Sequence, residues 1–117
     1  MEVRIQSRAV DGVIVLSCHG PILYGKGADN LRKTVKAVLG KNRNIVLNLG
    51  GVSYMDSHGL GTLAGLYSSA EAAGGEIKLC NLTRRMVDLL QVAQLRMVFE
   101  VYDTEEQAVA AFLHGAA

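Results

Sequence analysis

The chain has 117 residues, room for one domain (1–117) with a real core, and half of those residues are hydrophobic. Its 12 Lys and Arg nearly cancel 11 Asp and Glu to leave +1, with no Trp and few aromatics. Such a balance excludes a nucleic-acid partner, which needs a basic patch or a stacking platform, and no apolar run approaches the ~20 residues of a membrane span.

In chain order, Val3-Arg4-Ile5 alternates as a half-exposed strand and Asp11-Gly12 is a hairpin-type turn signal. Val13 to Cys18 is almost continuously apolar and β-branched, the mark of a strand buried on both faces, and Gly20-Pro21 ends it. Ala28, Leu31, Val35, Val38 and Leu39 recur at helical spacing and Gly40 closes the helix; its other face carries Arg32, Lys33 and Lys36. Ile45 to Leu49 is a second buried strand, and Gly50 to Gly59 a connecting loop. Leu60, Leu63, Ala64, Tyr67 and Ala70 mark a second helix stopped by Gly74-Gly75, before a short strand from Glu76 to Cys80. Asn81-Leu82-Thr83 opens a third helix with Met86, Leu89, Leu90 and Ala93 on its apolar face, and Val98 to Tyr102 is the last strand. Thr104 caps a final helix with Gln107 as its capping-box partner, and Ala108, Ala111 and Phe112 face inward. The order β-β-α-β-α-β-α-β-α predicts a small α/β domain. Its sheet is mixed but mostly parallel, with an antiparallel first pair and about four helices.

Cys18 and Cys80 lie in apolar runs without metal spacing, and no apolar stretch follows a basic start at Met-Glu-Val-Arg-Ile. Both features predict a cytoplasmic protein with two buried, reduced thiols and no signal peptide; no metal and no cofactor are expected either.

Two segments nearly match phosphate-binding motifs. Gly20-Pro-Ile-Leu-Tyr-Gly25-Lys26-Gly27 approaches the P-loop pattern, but Gly27 stands where the magnesium-binding hydroxyl belongs. Gly59-Leu60-Gly61-Thr62-Leu63-Ala64 fits the dinucleotide fingerprint, yet no acid follows near Leu79 to Asn81 to hold a ribose. The bland readings are a strand-to-helix loop and glycines that permit close packing. A small nucleotide-binding protein is the alternative they leave. Among the histidines, His19 reads as a strand-end residue and His114 suits a helix C-terminus. Ser57-His58 is not a catalytic dyad, because adjacent side chains diverge, so no enzyme is expected. Asp56 reads as a helix cap.

The informative stretch is Val52-Ser53-Tyr54-Met55-Asp56-Ser57-His58-Gly59-Leu60-Gly61, a polar tip at a helix N-terminus. A phosphoryl group there would meet free N–H groups and give the tip ~−2 charge. This stretch closely resembles the Asp-Ser-[Ser/Thr]-Gly-Leu-Gly signature of STAS domains, the anti-sigma-factor antagonist family. Gly20, Gly74-Gly75, the run from Asn81 to Leu90 and the ending from Leu95 to Ala108 resemble the family in the same order.

The resemblance implies the STAS fold and a non-enzymatic switch. It implies binding to an anti-sigma factor, a serine kinase of the histidine-kinase-like ATPase fold, with release of a sigma factor. It also implies phosphorylation of the hydroxyl residue before the signature glycine, reversed by a PP2C-type phosphatase. The phosphoacceptor position is His58 here, and Ser57 is its neighbour. The Gly-Glu-apolar-Asp run of many antagonists is Gly20-Pro21-Ile22-Leu23, without its acids. The expectations are therefore constitutive binding without the usual switch, a displaced acceptor at Ser57 (or a mere cap there), or a STAS subunit of a lipid-transport ATPase. The expected contact surface is Asp56, Ser57, His58, Gly59, Leu60 and Gly61 with Leu23, Tyr24 and Lys26.

Overall fold

Residues 3–114 are described by a computed structural model. The early hairpin is longer than the alternation predicts. Strand β1 (Arg4–Val10) pairs antiparallel along its whole length with β2 (Val13–His19), and Asp11-Gly12 makes the turn with both residues at positive φ. Most of β1 is exposed, so no apolar alternation announces its second half.

The remaining strands add in sequence order. β3 (Asn44–Gly51), β4 (Glu76–Cys80) and β5 (Val101–Tyr102) each lie parallel to the strand before, giving the order β1-β2-β3-β4-β5. The connections are α1 (Lys26–Leu39), α2 (Ser57–Ala72) and α3 (Arg84–Val92), with α4 (Glu105–His114) last. The mixed, mostly parallel sheet with four helices is thus as the sequence predicts.

Side-chain alternation assigns the two faces. Leu16 and Cys18 of β2, Ile45, Leu47 and Leu49 of β3, and Ile77 and Leu79 of β4 join one cluster. Leu31 and Val35 of α1, Leu63 and Leu66 of α2, and Met86 and Leu90 of α3 complete it. The intervening residues Val13, Val15, Val46 and Cys80 pack with Ala108 and Val109 of α4 on the opposite face. One helix therefore covers one face and three cover the other.

The two thiols are free and buried on opposite faces. With β3 between them, their two strands stand ~9.6 Å apart across the sheet, beyond disulfide reach. Burial pushes both thiols up to about 12.

Caps explain where the helices start. Thr83 accepts from Met86 N at 3.2 Å, and Thr104 accepts from Gln107 N at 3.1 Å while Gln107 Oε1 reaches back to Thr104 N at 3.2 Å. That reciprocal pair is the predicted capping box. The last strand is shorter than predicted. Leu95 to Phe99 is held in turns, with Val98 N and Phe99 N both donating to Leu95 O, so only Val101 and Tyr102 pair. Phe99 instead fills the core edge-on to Tyr67, with ring centroids 5.6 Å apart.

Lys78 points to the α4 face of the sheet and is 4% exposed. Burial opposes its charge, but ion pairs to Glu100 at 2.6 Å and Glu76 at 2.8 Å outweigh that and hold its pKa above the ordinary lysine value.

Candidate functional site

Two chain segments meet at the C-terminal end of the parallel strands. The segment after β2 (residues 20–25) runs beside the segment after β3 (residues 52–56). Gly20 N donates to Gly51 O at 2.8 Å, and Ile22 N donates to Tyr54 O at 2.9 Å. Ile22 and Met55, both fully buried, form a parallel bridge that extends the sheet beyond its named strands. Two of this loop's backbone donors, Gly20 N and Ile22 N, are therefore spent inside the fold. Gly27 lies buried in the first turn of α1, where a Cβ would touch Ile22 and Pro21 at 3.5 Å. The bland reading of this near-motif is the one the geometry supports.

Asp56 closes the joint. It is the N-cap of α2, and Oδ1 accepts from Gly59 N at 2.9 Å while Oδ2 accepts from Tyr24 N at 2.9 Å. One carboxylate thus satisfies an orphan helix donor and fastens the neighbouring loop. The donation from Tyr24, then that from Gly59, outweighs desolvation and lowers its pKa below the ordinary aspartate value. The folded value lies below the unfolded one. The stabilisation is therefore complete above the ordinary carboxylate range and is lost as pH falls through the folded value. In an acid titration followed by amide NMR, Gly59 and Tyr24 should shift together with a midpoint below that of a free aspartate, and Asp56→Asn should abolish that step.

The helix begins earlier than its apolar pattern suggests. Ser57, His58 and Gly59, read as loop from the sequence, form the first turn of α2. Gly59 is required there, because a Cβ would lie 2.4 Å from the backbone oxygen of Ile22. Since Asp56 is the cap, Ser57 is not, and its side chain is exposed at the first helical position. α1 likewise starts at Lys26 rather than Ala28, after Gly25 at φ 93° with no side-chain cap.

The predicted site residues come together, with one qualification. Leu23 and Tyr24 are exposed, at 37% and 73%, and Lys26, Ser57, His58 and Gly61 are exposed as well. The His58 ring stands 4.5 Å from that of Tyr24, tilted by 60°. Leu60 is only half-exposed and packs against the core, and Gly59 is buried, so these two support the surface more than they form it. Sequence reasoning missed Arg32 and Lys36. They sit on α1 along a groove of about 430 Å³ that runs from Ser57 and His58 past Gly61 and Gly65 of α2. His19 is exposed at the end of β2, and His114 lies in the last turn of α4, both away from the tip. No cluster of metal-ligating side chains occurs among the described residues, and none of their helices is long and apolar enough to cross a membrane.

The family profile of the STAS domain matches residues 4–108. The chain belongs to the STAS domain family. Among curated relatives of this STAS domain is the anti-sigma F factor antagonist of Paenibacillus polymyxa, 27% identical over 93% of this chain and 94% of that protein. Another is the anti-sigma-B factor antagonist of Bacillus subtilis, 30% identical over 68% of this chain and 72% of that one. The crystal structure of an anti-sigma factor antagonist from Mycobacterium paratuberculosis shares the fold. Its TM-score is 0.82 at 24% identity, over 94% of this chain and 93% of that one. In this STAS domain the signature runs Asp56-Ser57-His58-Gly59-Leu60-Gly61, and its first acid is the double anchor described above.

Proposed function

We propose that this STAS domain is a regulatory binding module of the anti-sigma-factor antagonist type. It captures a serine-kinase-type anti-sigma factor and so frees a sigma factor. The curated relatives support the class. The observation that carries the surface is the tip itself: Asp56 locks two segments together, and Tyr24 and His58 stand exposed and in ring contact on top of them. Rigid, exposed aromatic groups on a fixed scaffold are what a protein-binding surface needs, because little side-chain entropy is lost on docking.

Binding is constitutive in this reading. The position before Gly59 carries an imidazole held against Tyr24, and a serine kinase transfers phosphate to a hydroxyl. Ser57 is the neighbouring hydroxyl, one residue away along the helix and pointing in a different direction, as consecutive helical residues do. Nothing in this function calls for a cofactor, and a PP2C-type phosphatase would find no phosphate to remove. Intact-mass measurement after incubation with the kinase-type anti-sigma factor and ATP tests it. No added phosphate is expected on the native chain or on Ser57→Ala; a phosphate on the native chain that Ser57→Ala abolishes would overturn constitutive binding.

A further inference from the structure

The groove between α1 and α2 has a one-sided electrostatic character. Arg32 and Lys36 form its α1 wall, Ser57 and His58 close one end, and no carboxylate among the described residues lines it. Arg32 shares Asp29 at 2.8 Å, whereas Lys36 has no carboxylate partner among the described residues. Helix α1 as a whole carries Lys26, Arg32, Lys33 and Lys36 against the single acid Asp29. α2 carries no Asp, Glu, Lys or Arg before Glu71. In a chain of net charge +1, this is a local concentration of positive charge beside the tip.

Two glycines of α2 open the groove. Cβ atoms built at Gly61 and Gly65 meet nothing within 4 Å, so the fold does not require glycine at either position, in contrast to Gly59. Glycine in a helix interior costs stability relative to alanine. Without side chains at these two positions, the α2 surface between the cationic wall and the tip lies open.

We propose that this groove receives an acidic segment of the partner protein, its carboxylates meeting Arg32 and Lys36 while its backbone runs over Gly61 and Gly65. The proposal rests on the antagonist reading for the partner's identity and extends it to the partner's chemistry. Charge complementarity selects this occupant. A basic segment would meet like charge, and a purely apolar one would leave Lys36 desolvated without a counter-charge.

Hexaglutamate is the probe, titrated into the full ¹⁵N-labelled chain and followed by amide shifts, with hexalysine and inorganic phosphate as parallel arms. Saturable shifts at Arg32, Lys36, Gly61 and Gly65 are expected with hexaglutamate alone, weakening as salt rises. Arg32→Glu/Lys36→Glu should weaken binding at least about tenfold, and Lys41→Glu/Arg96→Glu, the same charge change elsewhere, by no more than about twofold. All four side chains are partly or fully exposed, and far-UV circular dichroism checks that both variants are folded. Equal losses in the two variants, shifts scattered over exposed lysines, or saturation of the groove by phosphate without a response to hexaglutamate would each overturn the proposal. No anti-sigma factor enters this titration, so its failure leaves the antagonist reading standing, and failure of that reading leaves its result intact.

Discussion

Gly59→Ala lowers the stability of the domain by about 1–3 kcal/mol, the ordinary cost of forcing extra volume into a packed site. The added Cβ would sit 2.4 Å from the Ile22 carbonyl oxygen and 3.3 Å from its carbon. Both atoms belong to backbone, so no rotamer change relieves the clash. The segments 20–25 and 52–56 must separate, and the bond from Asp56 N to Ile22 O, already 3.4 Å long, opens first. Asp56 can then no longer hold Tyr24 and Gly59 together. Urea denaturation should show a lower midpoint with an unchanged slope. Gly61→Ala is the control: its Cβ meets open space, and it should raise stability by up to ~1 kcal/mol. A fall of equal size in both variants would mean that the contact with Ile22 is not the reason for glycine at position 59.

Tyr24→Ala/His58→Glu removes the proposed contact surface and spares the fold. Tyr24 is 73% exposed and His58 is exposed, so stability should stay within about 0.5 kcal/mol of the native value. Binding should suffer far more. An aromatic anchor at the centre of an interface is worth about 2 kcal/mol or more, and the carboxylate adds a charge the partner surface has not met. Affinity for the anti-sigma factor, read by calorimetry, should fall at least ~30-fold. Leu60→Arg is a poorer probe of the same surface. Leu60 packs on the core, and its loss would mix folding with binding.

Most of the architecture is legible in the residue pattern because burial on both sheet faces writes continuous apolar runs, as in Val13 to Cys18 and Ile45 to Leu49. The signals fail where that physics does not apply. The second half of β1 is held by hairpin register with its side chains in water, so its sequence, Gln6-Ser7-Arg8, carries no strand signal. Val98 and Phe99 are apolar but belong to turns, since a short apolar run reads the same whether it pairs or plugs the core. The first turn of α2 contains Gly59, whose reason lies in a carbonyl from another segment, and no local pattern shows that.

The candidate site divides the same way. Asp56 as a cap follows from local chemistry, whereas its second bond to Tyr24 N spans 32 residues and needs the parallel crossover to exist. Arg32, Lys33 and Lys36 read as the solvent face of α1, which they are. That Arg32 and Lys36 also form a wall facing α2 is set by helix packing, not by their spacing.

In the proposed function the Tyr24–His58 tip displaces a sigma factor without a phosphate switch. The direct measurement adds the chain to a preformed complex of a sigma factor with its kinase-type anti-sigma factor and follows free sigma factor, with and without ATP. Release by the native chain should be the same in both conditions, and Tyr24→Ala/His58→Glu should give little or none. Release by that variant equal to the native chain's, or native release that ATP abolishes, would contradict it.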